Sequence, residues 1–118
     1  MSNYEFQKLC DKIFRIDANV RFVGVIDKMG SLVAGGMREY IKPMEERADS
    51  SKLYLEFALR NAMRQDFDPD FGKVVYTFSE RERIKFASFP YQDHLILVSI
   101  EKGKPHDKIL ENILRILS

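Results

Sequence analysis

The residues with chemistry to offer are few and scattered. Asp66, Asp68 and Asp70 alternate as the first ligands of a calcium loop do. The glycine such a loop requires comes one place late, at Gly72, and its twelfth position is Thr77 where a bidentate glutamate belongs. The segment reads instead as a solvated helix stop whose aspartates make local backbone hydrogen bonds. Cys10 is the single thiol, with no second one for a disulfide, zinc or redox pair. A nucleophilic cysteine needs a histidine beside it, and neither His94 nor His106 carries a signature that puts it there. They fit a hairpin turn and the start of a helix, respectively. Gly35-Gly36-Met37-Arg38 could offer backbone N–H groups and a guanidinium to an anion, which makes Gly36, Met37 and Arg38 a candidate partner or ligand loop. No Walker or dinucleotide fingerprint accompanies it, and the glycine pair serves as well to let the chain leave a sheet edge sharply. No catalytic residue, metal site or cofactor site emerges, and the chain is expected not to be an enzyme.

Composition narrows the field of partners. With 19 Lys and Arg against 18 Asp and Glu, the net charge of +1 provides no field that favours phosphate backbones or anionic lipid. Arg81, Arg83 and Lys85 alternate with Glu80 and Glu82, a solvated hairpin and not a basic patch. Neither nucleic acid nor membrane is expected as a partner. No apolar run approaches the ~18 residues that span a bilayer, and the start lacks a secretory pattern, so a cytoplasmic location is expected. A chain of 118 residues, 45% of them hydrophobic, is enough for a single domain, residues 1–118, built around one core.

These residues must be positioned by elements that the hydrophobic pattern lays out. Asn3 can cap a first helix whose stripe is Phe6, Leu9, Cys10, Ile13 and Phe14. A hairpin follows, Val20 to Ile26 and then Ser31 to Gly36, turning through Asp27-Lys28-Met29-Gly30. A long connection, residues 37–50, leads to a second helix over residues 51–65 with Leu55, Ala58, Leu59, Ala62 and Met63 as its core-facing stripe. Pro69 and Gly72 break it. Three strands then form a meander over residues 74–79, 84–89 and 95–101, and a last helix runs from His106 to Leu117.

The first and fifth strands are apolar on both faces, so both belong in the middle of a sheet covered on both sides. Placing them side by side joins the hairpin to the meander and gives the strand order 2-1-5-4-3. Helix two then covers one face, and helices one and three cover the other. The expected fold is α+β, a three-layer sandwich on a five-stranded antiparallel sheet with element order αββαβββα.

This order, with the hairpin Gly24-Val25-Ile26-Asp27-Lys28-Met29-Gly30-Ser31-Leu32-Val33-Ala34, resembles the roadblock/dynein light-chain family of the profilin-like group. The stretch Val33-Ala34-Gly35-Gly36-Met37-Arg38 is also similar to one in small archaeal proteins of unassigned function. The roadblock resemblance implies a non-enzymatic homodimer that acts as an adaptor or regulatory scaffold, with a small GTPase or another signalling protein as partner. It also implies a dimer made through helix two and the edge strand after it. The long connection departs from the better-known members. A wider profilin-like or PAS-like reading is a small-molecule sensor with the 37–50 loop as lid.

The residues of helix two carry a second surface. At 100° per residue, Leu53, Tyr54 and Phe57 fall away from the Leu55 to Met63 stripe, among Arg60, Asn61 and Arg64. Aromatics beside arginines suit an interface core. Strand three, with Val75 and Tyr76, adds an edge protected only by Lys73 and free to pair with its own copy. The expected interface is Leu53, Tyr54, Phe57, Asn61, Arg64, Val75 and Tyr76, with one sheet continuing across a two-fold axis.

Overall fold

The computed structural model describes residues 1–44 and 50–118. Helix α1 (Asn3–Phe14) is capped by Ser2, one residue ahead of the expected Asn3, because the Ser2 hydroxyl accepts from the Glu5 amide at 3.2 Å. Phe6, Leu9, Cys10 and Ile13 are buried, as their spacing requires. The chain then forms the hairpin of β1 (Val20–Ile26) and β2 (Leu32–Met37). One carboxylate oxygen of Asp27 accepts from the amides of Met29 and Ser31 at 2.9 and 3.0 Å and so organises the turn. Gly30 has φ 80°, and a Cβ there would come within 2.7 Å of the Leu55 backbone. The tip of the hairpin therefore packs tightly against helix α2 (Ser51–Gln65).

A one-turn helix, α3 (Asp68–Phe71), follows where only a break was expected. Pro69 sits in its first turn, where the missing N–H costs nothing, and Gly72 at φ 83° ends it. The meander comprises β3 (Thr77–Glu80), β4 (Ile84–Tyr91) and β5 (His94–Glu101), and α4 (Asp107–Leu117) closes the fold. β3 begins at Thr77 and not at Val74. Its register pairs Thr77 with Ser88, which puts Pro90 opposite Val75, and a proline has no amide hydrogen to carry the ladder further.

The strand order is β2-β1-β5-β4-β3, antiparallel throughout. β1 lies beside β5 with Val23 opposite Val98 and Gly24 opposite Leu97, the join that the two-faced strands demand. Alternation then divides the sheet. On one face Val23, Val25, Ala87, Phe89, Ile96, Val98 and Ile100 form a continuous core with α1 and α4. On the other, Ile26 and Leu95 meet Ala58 of α2 in a much smaller cluster flanked by Tyr54 and Phe57. The fold is the three-layer α+β sandwich expected from the pattern, with α1 and α4 on one face and α2 on the other.

Candidate interaction surface

Helix α2 is turned about its axis relative to the sequence expectation. Of the stripe expected in the core only Ala58 is buried, while Leu55, Leu59 and Met63 are 41%, 54% and 68% exposed. Tyr54 and Phe57, expected outside, face the sheet: Tyr54 stacks on Phe22 at 5.8 Å, and Phe57 tilts onto Phe86 at 5.5 Å. Both sides of this helix are apolar, so periodicity alone does not orient it. Two long-range features do: the aromatic pairs, each worth about 0.5–1.5 kcal/mol beyond the area they bury, and the seat of Gly30 on the Leu55 backbone.

The expected interface set therefore divides. Tyr54 and Phe57 are half-buried sheet contacts, and Leu53, Asn61 and Arg64 are half-buried as well. Val75 and Tyr76 remain exposed beside β3. The outer side of α2 carries a surface that the sequence reading does not find. Leu55, Leu59, Met63, Phe67 and Phe71 recur at intervals of four, running from α2 through α3, and all five are exposed. The Phe67 and Phe71 rings stack at 6.2 Å. The interval of four is present in the sequence, but a stripe read as facing inward and ending at residue 65 conceals it. In sequence the row is followed by Val75 and Tyr76, and β3 stands at the edge of the sheet, paired among the described residues with β4. A row of large apolar side chains of this extent on a small domain marks a contact surface.

The Gly36-Met37-Arg38 loop does not present its guanidinium to an anion. The Arg38 Nε donates to the Val20 carbonyl at 2.8 Å, and one terminal nitrogen donates to the carbonyls of Phe14 and Asp17 at 2.7 and 2.8 Å. The group also lies over the Phe14 ring at 5.0 Å. Arg38 thus caps the C-terminal end of α1 and pins the connection into β1. Gly35 has φ 86°, and a Cβ there would fall 2.0 Å from the Val23 carbonyl oxygen, so the pair shapes the strand end. Gly36 and Met37 line a cavity between the sheet and α2. The lid expected over residues 37–50 lies in part, at residues 45–49, outside the described residues.

Residues 1–118 match the model of a family of unknown function, DUF6659. The chain belongs to the DUF6659 family. No curated protein matches it in sequence. Among solved structures, this DUF6659 chain is similar to MglB of Myxococcus xanthus, at 16% identity and a TM-score of 0.70, over 98% of this chain and 86% of that one. It is similar to the gliding protein MglB of Thermus thermophilus, at 17% identity and a TM-score of 0.70, over 99% and 92%. It is also similar to a roadblock/LC7 domain of Streptomyces avermitilis, at 7% identity and a TM-score of 0.69, over 94% and 90%. The fold of this DUF6659 chain is the roadblock fold.

The single thiol of this DUF6659 chain is sequestered. Cys10 is fully buried, and burial, with a smaller effect from Asp11, pushes its thiol up to about 12. It packs as a small hydrophobe. His94 lies against the Phe6 ring at 4.6 Å. His106 stacks on Phe78 at 4.3 Å, with its Nδ1 3.0 Å from the ammonium of the buried Lys85. Among the described residues no three His, Cys, Asp or Glu side chains gather so as to hold a metal ion, and no helix is long and apolar enough to cross a membrane.

Proposed function

We propose that this DUF6659 protein is a non-enzymatic, homodimeric adaptor or regulatory scaffold of the cytoplasm, associated with a small GTPase or another signalling protein. The observation that carries the reading is the exposed set Leu55, Leu59, Met63, Phe67 and Phe71, followed in sequence by exposed Val75 and Tyr76 and by β3 at the edge of the sheet. A helix that is apolar on both sides suits burial on both sides: the sheet takes one, and a second copy of the chain takes the other. Two β3 edges meeting across a two-fold axis would satisfy each other's free backbone groups. Assembly of this fold has a precedent, since one similar structure, with a TM-score of 0.72 at 16% identity, is described as MglB with a tetrameric arrangement. The GTPase association follows from the roadblock resemblance.

Two experiments test the two halves of the proposal separately. Light scattering at tens of micromolar should report a dimer, because an interface of standard size holds at that concentration. Immobilised dimer should retain a small GTPase from a lysate of the source cell in a nucleotide-dependent way. Retention of no GTPase would remove that partner while leaving the dimer standing.

A further inference from the structure

We propose that a second copy lays its α2 antiparallel across the first, with the Leu59 side chains meeting at the two-fold axis and Lys52 of each chain paired with the partner's Asp66. The inference rests on the reading that a second copy covers the exposed row, and it adds how that copy is oriented. Seven residues make almost two full turns of helix, about 10.5 Å, so Lys52, Leu59 and Asp66 share one face of α2. Asp66, the residue that closes the helix, keeps helical backbone angles, so the face extends to it. Lys52 and Asp66 are exposed, as are Leu55, Leu59 and Met63 between them.

This face is symmetric about Leu59 in spacing and opposite in charge. Leu55 and Met63 stand four residues to either side, and Lys52 and Asp66 stand seven to either side. A two-fold axis through Leu59 therefore sets Leu55 against the partner's Met63 and Lys52 against the partner's Asp66, twice in each dimer. A parallel copy would oppose lysine to lysine and aspartate to aspartate, which like-charge repulsion disfavours.

The helix ends supply a second, independent argument. Within one chain both charges stand at the wrong end of α2: Lys52 lies in the first turn, which holds no acidic residue, beside the positive end of the backbone dipole, and Asp66 caps the negative end. Arg64, the basic residue of the last turn, is half-buried on another side of the helix. Among the described residues neither Lys52 nor Asp66 has an ion-pair partner. An antiparallel copy brings its own negative end to Lys52 and its positive end to Asp66, so backbone and side chains then agree.

Analytical ultracentrifugation of the full chain, over a dilution series at low salt, tests the orientation. Lys52→Glu and Asp66→Lys should each weaken the homodimer by roughly tenfold or more, because each turns two attractive pairs into two repulsive ones. Each also places at its helix end the charge that the dipole favours, so the loss cannot come from a weakened helix. Combining Lys52→Glu with Asp66→Lys in one chain should restore wild-type affinity. An equimolar mixture of the two single variants should do the same by forming heterodimers, in which both pairs are again of opposite charge. A wild-type dimer whose affinity neither single variant lowers, or a double variant no tighter than the singles, overturns the antiparallel register while the dimer stands. A wild-type chain that stays monomeric at tens of micromolar overturns the dimer reading, and this inference with it.

Discussion

The two faces of the sheet are built to different standards. Against one, α1 and α4 bring Phe6, Ile13, Ile109 and Ile113 into a continuous core whose largest side chains are fully buried. Against the other, α2 rests on two aromatic pillars and a small cluster around Ile26, Ala58 and Leu95, with a cavity beside it and an apolar row left outside. The first face supplies most of the burial and hence most of the stability. The second leaves hydrophobic surface uncovered, and surface of that kind is available for partners.

The closed face should show the largest response to truncation. Phe89→Ala, which empties a fully buried site, is expected to cost about 3–5 kcal/mol in urea unfolding. A loss below about 1 kcal/mol would show that this face is not the main support. Arg38→Met removes three hydrogen bonds to backbone carbonyls at the end of α1 and is expected to cost about 2 kcal/mol. Hydrogen exchange should show the fraying confined to residues 13–20. On the open face, Phe57→Ala removes a half-buried ring and should cost about 2 kcal/mol or slightly less. If its cost matches that of Phe89→Ala, the contrast between the faces fails.

The effect that is absent at neutral pH and emerges only in alkali is a pH slope. The Cys10 thiol is raised from 9.0 to about 12 in the folded protein, so the native state holds its proton where the unfolded chain releases it. Its contribution to stability is complete below pH 9 and is lost as the pH rises from there toward 12. Cys10→Ala should flatten that part of the urea-stability profile relative to wild type. An unchanged slope would mean that the thiol is not sequestered.

What the sequence reveals, and what it hides, follows from the range of the interactions. β1 and β5 announce their central position because both alternating sets of their residues are apolar, and that is local information. The roll of α2 is not local: Leu55, Leu59 and Met63 make as good a stripe as Tyr54, Phe57 and Ala58, and the choice is made by Phe22, Phe86 and Gly30, distant in sequence. The role of Arg38 is hidden for a different reason. Its partners are backbone carbonyls of Phe14, Asp17 and Val20, which leave no trace in residue type. The start of β3 depends on Pro90 facing Val75, a pairing known only once the register is fixed. The contact row is legible in its spacing but not in its direction.

A second copy of the chain covering that row is the central claim. Light scattering at tens of micromolar on wild type and on Leu59→Glu, whose side chain is 54% exposed and whose loss empties no core, tests this most directly. Wild type should have twice the mass of the chain, and Leu59→Glu should be monomeric with an unchanged far-ultraviolet circular dichroism spectrum. A monomeric wild type, or a Leu59→Glu protein that remains dimeric, would contradict it.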